Sequence, residues 1–334
     1  MISRKLSPLL IGLLLAVHAA AGRAPVPASF TPGSTAWAYP DPPAVPPVAA
    51  SAPSVGDAGP VSIPGGEVTF RAADLINRFS TPDWRPSDHP PMPPIVAKGR
   101  GSSVMACGFC HLPTGDGRPE NASLAGLPRA YLVEQMRAFR DGTRRSTMPD
   151  HVPPILMIQV AAAATDADVA EAADYFSGLD HRSFTHVLET ATVPKTRTIG
   201  WVYSRDPAGG SEPIGKRIVE MPVDFERFEH RDPRTDYVAY VPTGSIAQGR
   251  TLARTWGDGG QYSCATCHGA DLHGSDIGPP LAGRSPTYIV RQLTDIRTGA
   301  RHGGAVDLMT PVVAAMRNDD MIALAAFLGS LKPN

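Results

Sequence analysis

The sequence predicts a mainly α-helical protein made of two tandem domains, joined by a segment that contains short β-strands. Three observations support this fold class. The chain of 334 residues is long enough for two domains. One stretch recurs after 157 residues, with apolar residues at helical spacing in both copies. Between the copies apolar and polar residues alternate instead, which is typical of strands.

The repeat aligns without a gap from the first cysteine of each copy, Cys107 or Cys264, to a glycine, Gly142 or Gly299. In both copies a proline lies near the start of a stretch with helical periodicity, where its missing N–H costs little, and the glycine closes that stretch. Each copy is therefore predicted to contain a helix here. The other residues matched at this offset are Leu124 with Leu281, Ala125 with Ala282, Gly126 with Gly283, Tyr131 with Tyr288, Val133 with Val290, Gln135 with Gln292, and Arg140 with Arg297.

Beyond that helix the first copy contains five extra residues, so the offset becomes 152. At the new offset Met157 matches Met309, and an Ala-rich amphipathic stretch follows in each copy. These stretches, about 167–178 and 319–329, begin with acidic residues, which favour a helix N-terminus. Each copy is predicted to end in a closing helix, with a methionine-bearing loop before it.

The four cysteines of the chain form two motifs of the type C-x-x-C-H, Cys107–His111 and Cys264–His268. This is the attachment pattern of c-type haem, in which the two thiols add to the vinyl groups and the adjacent imidazole is the proximal iron ligand. A zinc site or a redox dithiol also uses C-x-x-C, but neither requires a His directly after the second Cys. The motifs predict two covalently attached haem c groups, held by Cys107, Cys110, His111, Cys264, Cys267 and His268.

The order of elements in each copy resembles a class I cytochrome c domain, and the pair resembles the dihaem cytochrome c family, including the cytochrome c4 type. The resemblance covers roughly 95–180 and 244–334, and it implies two tandem cytochrome c-like haem domains joined by a β-containing linker. The predicted domains are 65–181, with an N-terminal extension, and 244–334, with an inter-domain segment at 182–243.

The second axial ligand decides what such an iron can do, and a thioether raises the reduction potential and leaves a closed site. In the second domain the resemblance implies Met309, which lies 41 residues after His268, in the loop before the closing helix. The alternative is that Met309 is only a core methionine.

The first domain offers more than one candidate for this ligand. Alignment to the closing helix selects Met157, which lies 46 residues after His111. Met148 and His151 lie in the same loop and stay as alternatives, and Met92 is a more remote one.

Each proximal histidine needs an acceptor for its other ring nitrogen. By resemblance the carbonyl of Pro279 accepts this bond from His268. The first copy has Ala122 at the equivalent position, so it keeps a carbonyl but loses the stiffness of a proline. The two haems are therefore expected to differ in potential.

Two repeated Tyr and Arg pairs lie on the predicted helices, Tyr131 with Arg140 and Tyr288 with Arg297. They could bind haem propionates, which need hydrogen-bond donors, or they could be ordinary residues of an amphipathic helix.

Residues 1–21 are predicted to be a secretory signal peptide, because Arg4 and Lys5 precede the apolar run 9–17 and small residues follow it. An uncleaved anchor is the alternative, and no later stretch is apolar enough to cross a bilayer, so no membrane span is expected after cleavage. Export also suits c-type haem, which is attached outside the bacterial cytoplasm. The predicted location is the periplasm.

Residues 22–64 are rich in Pro, Ala, Ser and Gly and show no hydrophobic period, so they are predicted to be a mobile tether. Three aromatic residues in it are expected to be isolated, with docking as the alternative: Phe30, Trp37 and Tyr39.

Short strands are predicted in the inter-domain segment at 187–193, 197–204, 216–221 and 236–241, with a turn at 207–210. The charged run from Glu226 to Asp232 is predicted to be a solvated turn. Residues 65–94 are expected to wrap the first domain.

With a net charge of −1 and 19% charged residues, the chain lacks the basic character of a nucleic-acid-binding protein. The predicted function is single-electron transfer between periplasmic redox proteins, without catalysis. The alternatives are a cytochrome subunit of a periplasmic dehydrogenase complex and a dihaem enzyme, such as a peroxidase or a sulfur-compound dehydrogenase. The enzyme would need an iron with an exchangeable or unusual sixth ligand, whereas both domains offer a Met and no cysteine is left over.

Overall fold

The computed structural model describes residues 38–40, 59–257 and 262–333. The predicted signal peptide and most of the predicted tether lie outside these residues. The helices are α1 Ala72–Leu75, α2 Pro94–Ala97, α3 Cys107–His111, α4 Arg129–Arg140, α5 Val152–Ala163, α6 Asp166–Ser177, α7 Phe225–Glu229, α8 Ser245–Thr255, α9 Cys264–His268, α10 Pro286–Arg297, α11 Thr310–Ala314 and α12 Asn318–Ser330. The strands are β1 Thr185–Thr190, β2 Thr192–Pro194, β3 Thr196–Ile199, β4 Val202–Arg205, β5 Ser211–Pro213, β6 Val219–Pro222 and β7 Tyr237–Pro242, and 3₁₀ turns cover Pro86–Asp88 and Gly304–Met309.

The first copy of the repeat folds into α3 to α6. Leu132 of α4 packs with Val169, Ala173 and Phe176 of α6 in one cluster of buried residues, and the three residues of α6 recur at helical spacing. Thr165 caps α6 by accepting a hydrogen bond from the backbone N–H of Asp168. The predicted closing helix at 167–178 is confirmed by α6.

The methionine-bearing loop predicted in the first copy is a helix, α5. Its first turn contains Pro153 and Pro154, where a backbone N–H has no intrahelical partner to lose. The rest of α5 is apolar and free of glycine, and Val160 and Ala161 are buried. The loop prediction was wrong because the prolines start a helix here instead of preventing one.

The second copy is formed by α8 to α12. Helix α8 crosses α12 at Gly249, where a Cβ would overlap the carbonyl oxygen of Ala323 and lie 2.8 Å from the Cβ of Phe327. Glycine therefore permits the close approach of these two helices. The predicted closing helix at 319–329 is confirmed by α12, which is buried over most of its length.

The inter-domain segment contains strands in all four predicted stretches, but the stretch predicted as one strand at 187–193 is divided between the end of β1 and the start of β2. Strand β7 lies between β1, to which it is parallel, and β6, to which it is antiparallel. The pairs β2–β5 and β3–β4 are antiparallel hairpin-like ladders. The single strand predicted at 197–204 is instead the hairpin β3–β4, which turns at Gly200 and Trp201 with φ of 54° and 76°. Residue alternation continues across this tight turn, so periodicity alone did not reveal it.

The charged run predicted as a solvated turn is partly buried. It forms α7 and the turn after it, and Asp232 is 1% exposed. Asp232 accepts hydrogen bonds from Arg85 at 2.9 Å and from Arg227 at 2.8 Å. A buried carboxylate needs such partners, and one of them comes from the N-terminal extension, which sequence spacing could not pair with it.

The N-terminal extension packs on the first domain and on the inter-domain segment. Trp84 is fully buried, and its indole N–H donates to the carbonyl of His230 at 2.7 Å. Tyr39, predicted as an isolated aromatic, is 1% exposed, and its hydroxyl donates to the carboxylate of Asp295 at 2.5 Å. This tyrosine of the predicted tether therefore docks on the second domain.

Candidate haem-binding sites

Each C-x-x-C-H motif forms a helix of a little over one turn, α3 or α9. Residues three apart lie on the same face of such a turn, so the two thiols of each motif point to one side. All four cysteines are half-buried, and none of them forms a disulfide. Burial raises the pKa of Cys107 to about 12 and that of Cys264 to about 11, which keeps these thiols protonated.

The histidine of each motif is held by a backbone carbonyl. The Nδ1 of His111 donates to the carbonyl of Ala122 at 2.8 Å, and the Nδ1 of His268 donates to the carbonyl of Pro279 at 2.8 Å. The predicted acceptors are confirmed. Burial lowers the pKa of both histidines, so each ring is neutral and its Nε2 is left as a free donor atom for a metal.

A cavity of about 1150 Å³, called here the first-domain cavity, has Cys107, Cys110, His111 and Met157 in its wall and is lined on its other sides by the inter-domain segment and α10. Most of the remaining wall of the first domain is apolar, from residues of α4, α5 and α6 and from the stretch before α3: Ile95, Val104, Leu132, Met136, Phe139, Val160, Val169 and Phe176. Two thiols, a neutral imidazole and a thioether around a large apolar space are the donor set that a covalent haem requires. The residues present therefore fit this group.

The candidates for the second axial ligand of the first domain are placed differently. Met157 lies on α5 in the cavity wall, whereas Met148 packs against the hydrophobic cluster of the second domain. His151 also lines the cavity; it is 3% exposed, and neither of its ring nitrogens has a hydrogen-bond partner in the protein. Met92 packs against the core of the first domain.

In the second domain Cys264 and Met309 are half-buried against one hydrophobic cluster. This cluster also contains buried residues of α10 and α12, such as Ile289, Ile296 and Leu324. Met309 ends the 3₁₀ turn before α11. The thioether of Met309 therefore lies against the same apolar core as the second motif, and Met157 lies in the wall of the apolar cavity at the first motif.

A polar network joins the two copies, and its residues occupy equivalent positions in both. Arg144 donates to the hydroxyl of Tyr288 at 2.9 Å, and its counterpart Arg301 donates to the hydroxyl of Tyr131 at 3.1 Å. Each arginine also donates to the glutamines at both equivalent positions: Arg144 to Gln135 and Gln292, and Arg301 to Gln292 and Gln135. Arg144, Gln135, Tyr288 and Gln292 line the first-domain cavity as well.

The arginines of this network differ from those singled out in the sequence. Arg140 donates to the carbonyls of Ala161 and Ala164, and Arg297 donates to the carbonyl of Met316 and the side chain of Asn318. Arg140 also donates to the carboxylate of Asp166 at 2.9 Å, so both arginines tie the repeated helix to the start of the closing helix of the same domain. Arg144 and Arg301 were missed, although they match at the offset of 157 and the repeat could have identified them.

Within the described parts of the chain, no group of three or more His, Cys, Asp or Glu side chains is placed to hold a metal ion, as the alternative zinc site would require. No helix in the same parts is long and apolar enough to cross a bilayer.

Comparison with known proteins gives the same assignment. The family model described as "Cytochrome c" matches residues 246–332. Cytochrome c-554(548) of Halomonas halodenitrificans is 38% identical over 20% of this chain and 83% of its own length. Cytochrome c4 of Azotobacter vinelandii is 24% identical over 71% of this chain and 89% of its own length. The thiosulfate dehydrogenase electron acceptor of Thiomonas intermedia is 28% identical over 68% of this chain and 79% of its own length.

The same family is indicated by both C-x-x-C-H motifs, by the carbonyl-bound histidines and by these relatives. This chain belongs to the cytochrome c family.

Proposed function

We propose that this chain is a dihaem c-type cytochrome that transfers single electrons between redox proteins of the periplasm. The observation that carries the proposal is the repeated site. Each copy has two thiols on one helical turn and a neutral imidazole fixed by a carbonyl, and it has a methionine against an apolar wall. A carrier needs two such closed sites and no substrate pocket.

In this proposal each residue of the site has one role. The cysteines would hold the haems through thioether links, and the histidines and methionines would supply the nitrogen and sulfur ligands of the irons. The thioether residues would be Cys107, Cys110, Cys264 and Cys267, and the iron ligands would be His111 with Met157 and His268 with Met309. The haem supplies a one-electron couple between ferrous and ferric iron, which a thioether ligand moves to higher potential.

The surrounding residues favour electron transfer over ligand chemistry. Ala122 and Pro279 accept from the histidine Nδ1 atoms and so fix both ring orientations. The apolar side chains of α4 and α6 exclude water from the first site. The arginine and glutamine network between the copies provides donors for propionate carboxylates, and in this proposal Arg144 and Arg301 have that role.

A second candidate function is a cytochrome subunit that accepts electrons within a dehydrogenase complex. One relative is a thiosulfate dehydrogenase electron acceptor, and another is a cytochrome subunit of sulfide dehydrogenase, 46% identical over 12% of this chain. Tight co-purification with a dehydrogenase would favour this candidate over a free carrier.

The test is to produce the full chain in a bacterium that matures c-type cytochromes. We expect two haems per chain, resistant to extraction because they are covalently attached. We also expect low-spin spectra with methionine ligation at both irons. A product with one haem, with zinc in place of iron, or with a high-spin iron that binds exogenous ligands would contradict the proposal.

A further inference from the structure

The two C-x-x-C-H motifs are covered to very different extents. Gly108 and Phe109, between the cysteines of the first motif, are buried. At the equivalent positions of the second motif Ala265 is half-buried and Thr266 is exposed. The motifs share their fold but differ in these two residues, and they also differ in what packs on them.

Two segments outside the repeat cover the first motif. From the inter-domain segment, the guanidinium of Arg231 lies 3.6 Å above the ring of Phe109 and donates to the carbonyl of Phe109 at 2.9 Å. From the N-terminal extension, Thr81 packs so closely on Gly108 that a Cβ there would lie 2.8 Å from the side chain of Thr81. The described residues place no comparable cover on Thr266.

The loop that follows each motif shows the same contrast. In the first domain Arg118 is 8% exposed, and its guanidinium lies 3.7 Å above the ring of Phe228 of α7. Arg118 also pairs with Glu120 at 3.0 Å. Helix α7 therefore closes this loop off from solvent.

The matching loop of the second domain is open. Ser275, Asp276 and Ile277 are all exposed, and Ile277 is 57% exposed. The hydroxyl of Ser275 donates to the carbonyl of Cys267 at 2.5 Å and accepts from the backbone N–H of Ile277 at 3.0 Å. These bonds hold an apolar side chain and a carboxylate directly beside the second motif.

We propose that, among the surfaces formed by the described residues, partner proteins exchange electrons with this chain through the second-domain face, defined as Thr266, Asp271, Asp276 and Ile277. This inference rests on the proposed electron-transfer function and adds the place where electrons enter and leave. All four residues are exposed, lie close to the second motif in the sequence, and include one large apolar side chain and two carboxylates. The occupant that fits is a one-electron redox protein with an apolar contact patch rimmed by lysine or arginine.

One electron passes in each encounter, so a reduced partner is oxidised by one electron and the chain is reduced by one. In this proposal an electron that reaches the first domain crosses from the second domain, because Arg231 covers Phe109 and α7 packs on the loop after the first motif. Because Arg231, Thr81 and α7 cover the first motif, the two domains have different roles: the second domain exchanges electrons with partners, and the first domain stores an electron.

The test measures how fast a reduced, lysine-rich mitochondrial-type cytochrome c reduces the oxidised full chain, by stopped-flow spectroscopy at about 0.1 M ionic strength, where charges are screened beyond about 10 Å. The variants are Ile277→Lys and Asp276→Lys. The matched controls lie at the cover of the first motif: Val223→Lys, with 59% exposure close to that of Ile277, and Glu226→Lys, which makes the same charge change on α7.

We expect each substitution on the second-domain face to lower the second-order rate constant about tenfold, because a lysine repels the basic rim of the probe. The two controls should stay within about twofold of the unsubstituted chain. Added salt should slow the reaction of the unsubstituted chain and have less effect on Asp276→Lys. Equal rates in all variants, or an equal loss at Glu226→Lys, would overturn the inference.

The same samples separate this inference from the proposed function. Haem content and full reduction by dithionite are measured for every variant. If each chain holds two reducible haems but the substitutions on the second-domain face and the controls react at the same rate, only the inference about the second-domain face is wrong. If the unsubstituted chain holds no reducible haem, the proposed function itself fails.

Discussion

At the scale of single residues, the methionines are told apart by what they touch. Met157 faces the cavity that contains His111, Met148 packs on the other domain, and Met309 adjoins the core beside the second motif. The sequence distance from the motif is 46 residues in one copy and 41 in the other, so counting alone does not select the ligand. Their roles are separable by substitution.

Leucine at either proposed ligand, Met157→Leu or Met309→Leu, preserves volume but removes the thioether. We expect each variant to lose the methionine-ligation signature of one iron, with a fall of on the order of 0.1 V in one of the two potentials. Redox titration followed by optical and magnetic spectroscopy measures both.

The control for these substitutions is Met148→Leu. It should leave both potentials and both signatures in place, because Met148 packs outside the first-domain cavity wall. Loss of a methionine signature in this variant, with none in Met157→Leu, would reverse the assignment.

His151 makes the stability of the fold depend on pH. Burial, and then the charge of Arg291, lower the pKa of His151 to about 3. An unfolded histidine takes up a proton near pH 6.5, so between about pH 6.5 and 3 the unfolded state binds more protons than the folded state. The free energy of unfolding should fall as the pH falls through this window, by on the order of a few kcal/mol, and should be insensitive to this group above it.

Denaturant unfolding at a series of pH values tests this dependence. His151→Phe keeps a ring to pack against Tyr39 and Trp201, whose ring centroids lie 5.4 Å and 5.0 Å away. In this variant the acid limb, which is the fall of the unfolding free energy below pH 6.5, should become flatter. His186→Gln is the control, because its side chain is 72% exposed, and should retain the limb. A limb that is equally steep in His151→Phe would assign the acid sensitivity to other groups.

At the scale of elements, small residues decide how closely helices approach. Helix α8 carries Gly249 against α12, while α6 ends at Gly178, where an added Cβ would lie no closer than 3.6 Å to its neighbours. An alanine is therefore tolerable at Gly178, which caps the C-terminus of α6, and not at Gly249 within α8.

Gly249→Ala is expected to lower the free energy of unfolding by about 2 kcal/mol or more, because the new methyl group overlaps the backbone of α12. Gly178→Ala is the matched control and should change it by less than about 1 kcal/mol, because its φ of −85° suits any residue. Denaturant titration of the haem-loaded chain measures both. Similar losses at the two sites would mean that α8 and α12 do not need this contact.

At the scale of the whole molecule, the two copies are joined by side chains that cross between them. Arg144 and Arg301 share the oxygens of Gln135 and Gln292, and each reaches a tyrosine of the other copy. Buried arginines with shared acceptors act as one unit, so removing either changes the partners of the other.

A double-mutant cycle tests this coupling. Arg144→Met and Arg301→Met should be non-additive by about 0.5–3 kcal/mol in the free energy of unfolding. They should also shift the haem potentials together if the network holds the propionates. Arg145→Met, at an exposed residue, is the control and should add independently to Arg301→Met. Full additivity of the first pair would contradict a shared network.

The sequence by itself determined the local features of this protein. The C-x-x-C-H spacing, the repeat, α4, α10 and the two closing helices were all predicted from the residues, whereas the carbonyl acceptors Ala122 and Pro279 were expected from the family resemblance. Each depends on residues close together in the chain, where spacing, capping and periodicity act directly.

Only the tertiary structure decided the rest. The hydroxyl of Tyr39 reaches Asp295 across 256 positions, Arg231 covers Phe109 across 122, and Arg301 reaches Tyr131 across 170. No local pattern encodes such pairs, because they form when separate elements exclude water together and buried charges then require partners. For the same reason the sequence shows two motifs of one type, and only the fold decides that Phe109 is covered while Thr266 is exposed.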